Sequence, residues 1–195
     1  MSQHNNKPVL TYFSSRGKSE IIRLLLAEAG VDYEEVNVGV WHPTDKSEQF
    51  QQLVQNGSLA FDALPSYKDD QIFLVQSVTK EVSNSSIEET MDKIAREKLP
   101  KFISYFERAL KGKTFLVGEK ISYADIGLFY VIDNLLELNA EYTNKFILEK
   151  NENLKAFHGR IKSREGIHKH VTNPNRFPKQ NLPGYETVLS KIVQQ

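Results

Sequence analysis

The stretch LTYFSSRGKSEIIRLLLAEAG at 10–30, followed by YEEVNV at 33–38, constrains the fold more than any other part of this chain. The run PVLTYF (8–13) alternates as a strand does, with Val9, Thr11 and Phe13 on one side and Leu10 and Tyr12 on the other. From about Ser15 the apolar spacing turns helical. Ile21, Ile22, Leu24, Leu25, Leu26 and Ala29 make one broad face, and Gly30 suits a left-handed helix stop. Strand, helix and strand in about 30 residues form a βαβ unit, so the two strands are predicted parallel with a right-handed crossover.

Beyond residue 40 the pattern changes. Residues 46–55 suit a short helix, and the β-type runs Ser66–Tyr67 and Ile72–Val75 flank a KDDQ turn that predicts an antiparallel hairpin. After Ser86 the strand signals stop. Ser86 with Glu89 reads as a helix-opening capping box. Ile87, Met91, Ile94, Leu99, Phe102, Phe106 and Leu110 then carry one apolar stripe, with a kink or restart expected at Pro100. A second capping box, Ser122 with Asp125, opens a helix predicted to be apolar all round: Ile126, Leu128, Phe129, Val131, Ile132, Leu135 and Leu136. Further amphipathic pieces fall at 143–150 and 153–163, and the proline-bearing tail from Thr172 is predicted irregular and superficial. The pattern is an α/β module followed by an all-α one.

Composition removes several functions. Lys and Arg balance Asp and Glu at 25 each, which argues against nucleic acid or an anionic membrane as partner, since both reward excess positive charge. No apolar stretch approaches the roughly 20 residues that span a bilayer. The polar start MSQHNNKP does not read as a signal peptide, so the expectation is a cytoplasmic protein. With no cysteine, disulfides, thiolate metal sites and protein-thiol redox chemistry are excluded. His168 and His170 stand two apart and would not share a helix face, so no metal is expected.

The opening stretch also holds an electrostatic oddity. Arg16 and Lys18 sit at a helix start, the positive end of the macrodipole, which favours anions. Cations and free backbone N–H groups at one point make a site for an anionic ligand. Tyr12, at the end of the first strand, stands where ligands bind α/β sheets. Its phenol is protonated at neutral pH and can donate a hydrogen bond that holds a bound thiol as its anion.

These residues resemble a known family. LTYFSSRGKSEIIRLLLAEAGVDYEE is similar to the N-terminal signature of the glutathione transferases, the sigma class in particular. LPSY…VQS resembles that family's second glutathione-binding segment, and FLVGEKISYADIGLF its helical-domain folding motif. The resemblance implies a thioredoxin-like, glutathione-binding domain over 7–82 and an all-α domain over 86–195. It implies a cytoplasmic detoxification enzyme that joins glutathione, as substrate, to a small hydrophobic electrophile, without a metal and as a possible homodimer. In that reading Tyr12 is the catalytic hydroxyl, with Arg16 close by favouring the thiolate. Trp41 and Lys46 meet the glycyl end. A cis Leu64–Pro65 bond exposes the Leu64 backbone to the cysteinyl portion, and Gln76 and Ser77 grip the γ-glutamyl carboxylate.

Two features depart from the family pattern. Ala63 stands where a Gln or Lys commonly adds a glycyl-end contact. Residues 78–99 are all that remain of a longer helical hairpin that ordinarily builds the dimer interface and one wall of the cleft. These departures keep a non-catalytic binding or structural role open beside the transferase, with a glutathione-dependent isomerase as a variant of the enzyme.

Overall fold

A computed structural model describes residues 7–41, 46–59, 64, 66–68, 73–75, 94–178 and 193. The chain divides into two compact units, Met1–Glu81 with Lys169–Gln180, and Val82–His168 with Asn181–Gln195.

In the first unit, β1 (Val9–Tyr12) pairs parallel with β2 (Glu34–Asn37) and antiparallel with β3 (Ser66–Lys68), which pairs antiparallel with β4 (Phe73–Val75). The sheet order is β2-β1-β3-β4, the parallel pair and hairpin that the sequence predicts. Between β1 and β2 runs α1 (Glu20–Ala29), preceded by a 3₁₀ turn at Gly17–Ser19. The regular helix therefore opens five residues later than its apolar spacing suggests. The cause is local: Gly17 has φ +39°, which turns the chain before helical geometry can start. Gly30 ends α1 in the left-handed conformation, with its N–H and that of Val31 closing onto Ala27 O and Leu26 O. Helix α2 (Glu48–Gln55) is capped by Ser47, whose hydroxyl accepts the Phe50 N–H and donates to Val38 O. Leu10 is fully buried, while Tyr12, Val38, Phe50, Leu59 and Leu64 form one apolar cluster.

The second unit begins, among the described residues, with a π-type turn (Ile94–Lys98) leading into α3 (Leu99–Leu110). Pro100 is the second residue of α3, at its junction with the π-type turn, where the sequence places a kink or restart. The stripe differs from its expected course at one residue. Ile103 and Leu110 are buried, but Phe102, assigned to the core by its spacing, is 55% exposed. The inward row runs 99, 103, 106, 110, the ordinary spacing of one α-helical face, and Phe102 falls outside it.

The next helix, α4 (Tyr123–Leu138), opens as predicted on Ser122 and Asp125. The fully buried Asp125 carboxylate accepts Ser122 N at 2.8 Å, Ser122 Oγ at 2.6 Å and Leu116 N at 2.8 Å. It ties the incoming loop to the helix start. Ile126, Leu128, Phe129 and Ile132 are buried, but Val131 is exposed and Leu135 and Leu136 only half-buried, so α4 has an outer face that the sequence does not predict. Then come α5 (Ala140–Thr143), a second π-type turn (Asn144–Leu148), α6 (Glu152–Lys162) and α7 (Glu165–Val171). Phe157, Leu154, Ile161 and Ile167 complete the core. The Glu107 carboxylate accepts the N–H groups of Asn153 and Leu154, capping α6 from α3. No helix among the described residues is long and apolar enough to cross a membrane. The box at Ser86 and Glu89 and most of the shortened segment lie outside the described residues.

Candidate functional site

Tyr12 closes β1, and its ring lies in the apolar cluster with only 9% of the residue exposed. Its hydroxyl is directed at the turn before α1, where it accepts the Lys18 N–H at 3.1 Å. A Cβ on Gly17 would collide with that hydroxyl and lie 2.9 Å from the ring carbon Cε1. Glycine is thus needed twice, for its φ and for the close approach of the phenol. Burial pushes the phenol pKa up, against the Lys18 N–H and the Arg23 charge, which lower it; the net shift is upward. At neutral pH the hydroxyl keeps its proton. Having accepted one N–H, it can donate that proton to a ligand.

The cations answer the electrostatic oddity in a way the sequence does not suggest. Arg16 is buried, not spread on the surface. Its N–H donates to Pro178 O at 3.2 Å, and its carbonyl accepts Glu20 N, Ser19 Oγ and Arg23 Nη1. The hub is Arg23, one turn into α1 and 2% exposed. Its Nη1 donates to the carbonyls of Ser15 and Arg16 and to Glu20 Oε2, each at 3.1 Å. Its Nε and Nη2 both reach Glu35 Oε1 on β2, at 2.9 and 2.5 Å. The guanidinium lies 4.7 Å from the Phe177 ring centroid and 5.9 Å from that of Tyr12. Glu20, fully buried, also accepts Arg176 Nε at 2.7 Å and pairs with His170 Nε2 at 2.9 Å. Burial works to raise its pKa, but His170 and then Arg176 reverse that and hold it at about 2. A buried carboxylate at the first position of α1 is the anion that the helix start favours.

The other predicted residues are scattered around this cluster. Leu64 is in the apolar group with Tyr12. Lys46 is exposed, with its Nζ 5.5 Å from the Phe50 ring centroid, and Phe50 contacts Phe13, which contacts Tyr12. Trp41 is half-buried. Ala63, Pro65, Gln76 and Ser77 lie outside the described residues. Sequence reasoning misses Glu20, Arg23, Glu35, His170 and Arg176. A buried-charge signal is present in Glu20 and Arg23, which share a face at i,i+3 of a mostly apolar helix. Nothing near them in sequence marks His170 or Arg176 as their partners. Among the described residues no three His, Asp or Glu side chains are grouped to hold a metal. A cavity of about 500 Å³ in the second unit, walled by Leu99, Ile103, Tyr142 and Phe146 among others, holds none of the predicted site residues.

A short parallel–antiparallel sheet with a tyrosine at the βα turn, in a chain that continues into an all-α unit, defines a glutathione-transferase-type protein. The comparisons agree along the chain. Residues 8–79 match the family model "Glutathione S-transferase, N-terminal domain" and 73–174 match "Glutathione S-transferase, C-terminal domain". The chain belongs to the glutathione S-transferase family. It is 31% identical to "Glutathione S-transferase 3" of Gallus gallus, over 80% of this chain and 82% of that one. To "Glutathione S-transferase A4" of Mus musculus it is 29% identical, over 95% and 98%. The solved "Structure of Onchocerca Volvulus Pi-class Glutathione S-transferase" superposes with a TM-score of 0.66 at 24% identity, over 85% of this chain and 92% of that one, a likeness of fold.

Proposed function

We propose that this enzyme transfers glutathione to small hydrophobic electrophiles, with Tyr12 holding the glutathione sulfur as its thiolate. The observation that carries the reading is the Tyr12 hydroxyl, protonated and already accepting the Lys18 N–H. That N–H polarises the O–H bond and makes it a better donor to an anion. The thiol proton passes to solvent. With an aryl halide the thiolate then forms a carbon–sulfur bond and the halide leaves with the electron pair of the broken carbon–halogen bond. Arg16, Trp41, Lys46, Leu64, Pro65, Gln76 and Ser77 are assigned to glutathione binding on the strength of the motif resemblance.

The alignment with the mouse relative runs over 228 positions against the 195 residues of this chain; the placing of the shortening after the second motif rests on the motif resemblance. The sigma-like N-terminal motif stands beside relatives named A4 and pi-class, so the proposal rests on the family and not on the class. A cytoplasmic location, a detoxification role and a homodimer complete the proposal; light scattering on a sizing column tests the last.

Calorimetric titration with glutathione, together with turnover of an aryl halide by the native chain and by Tyr12→Phe, tests the chemistry. Binding in the micromolar-to-millimolar range and a loss of about 100-fold in kcat/KM in the variant are expected, as for removal of one oxyanion donor. Glutathione binding without turnover on a broad electrophile panel would support the non-catalytic alternative instead.

A further inference from the structure

We infer that residues 170–178 act as a clasp that positions the Tyr12 hydroxyl, with Glu20 and Arg23 as the positioning residues through which it works; this rests on the transferase reading above.

The Tyr12 hydroxyl accepts the Lys18 N–H, so the position of that N–H bears on where the phenol proton is aimed. Lys18 is placed by the turn at 15–19. That turn is not regular α-helix, because its glycine is at positive φ, so the helix ladder alone does not fix it. Two of its carbonyls, Ser15 and Arg16, are held by one guanidinium, Arg23. The next links come from a segment about 150 positions further along the chain. His170 and Arg176 pair with Glu20, which pairs with Arg23. Phe177 lies against the Arg23 guanidinium, and Pro178 O takes the Arg16 N–H directly.

Four contacts from one late segment therefore converge on this region, one on the turn itself and three on Glu20 and Arg23, which lead to it. A charge-assisted bond from phenol to thiolate weakens steeply with distance and angle. A displacement of the turn small enough to leave the fold intact still alters it.

The test is the pKa of bound glutathione, read from the ultraviolet absorbance of the thiolate, with kcat and KM for glutathione measured in parallel. The variants are Arg176→Met, Arg176→Lys, Phe177→Ala and Tyr12→Phe, each checked for folding by circular dichroism. Arg176→Met is expected to raise the bound thiol pKa by about one unit and to lower kcat about tenfold, with KM changed much less. Arg176→Lys restores most of both, since it returns the charge to Glu20. Phe177→Ala, at a half-buried site, moves both in the same direction and keeps the test open if Arg176→Met does not fold. A raised pKa in Tyr12→Phe with unchanged values in the folded clasp variants overturns the inference and leaves the transferase reading standing. An unchanged pKa in Tyr12→Phe overturns that reading, and the inference with it.

Discussion

Replacing Glu20 with glutamine removes one charge and almost no volume, from the most enclosed ionic cluster among the described residues. Glu20 is fully buried and touches Arg23, Arg176 and His170 at 3.1, 2.7 and 2.9 Å. The native fold lowers its pKa from 4.5 to about 2, against a burial effect of opposite sign. A difference of that size corresponds to about 3 kcal/mol of stability, and loss of one partner from a buried charge cluster generally costs about 3–5 kcal/mol. Because the folded-state pKa lies below the unfolded one, this stability is fully present above the unfolded value of about 4.5. It is lost as pH falls toward about 2. Glutamine imitates the protonated form, so the variant should be about 3 kcal/mol less stable than the native chain at neutral pH. The gap should close through that window. Urea unfolding followed by the fluorescence of the single tryptophan, Trp41, reports on the unit concerned. Equal stability at neutral pH, or a gap that does not narrow on acidification, would refute the argument.

Three other outcomes are expected from the geometry. Tyr12→Phe removes the hydroxyl that accepts the Lys18 N–H, so denaturant unfolding should register a loss of only about 1 kcal/mol beside the much larger loss of activity. Gly17→Ala combines a strained φ of +39° with a collision at the Tyr12 ring, and should cost about 1–3 kcal/mol by thermal unfolding while depressing turnover. Asp125→Ala removes the acceptor of three hydrogen bonds at the start of α4, leaving the Leu116 and Ser122 N–H groups without it. A loss of about 3 kcal/mol is expected, with glutathione affinity little changed.

The legible parts of the fold are those written in short-range periodicity. The alternation at 8–13, the helical face at 21–29 and the two β-type runs flanking KDDQ point to a parallel pair followed by a hairpin, because each pattern needs only neighbours within one element. Ser122 and Asp125 likewise announce α4, since their bonds span three residues. The errors lie where phase or distance matters. Phe102 reads as part of the α3 stripe in place of Ile103, although Leu99, Ile103, Phe106 and Leu110 already share one helical face and two adjacent apolar residues leave the choice to what packs there. Val131 reads as core because α4 is apolar on most sides, yet burial depends on what packs there.

For the site, the sequence by itself determined a tyrosine at the end of a strand and cations at the start of the helical stretch that follows. Only the tertiary structure decided which cation organises the turn and what neutralises it. The hub is Arg23, answered by Glu20 and Glu35, with His170 and Arg176 arriving from about 150 residues away. A charge buried in a low-dielectric interior must be paired, but pairing across such a separation leaves no periodic trace in the chain. It becomes visible only once folding has brought the partners together.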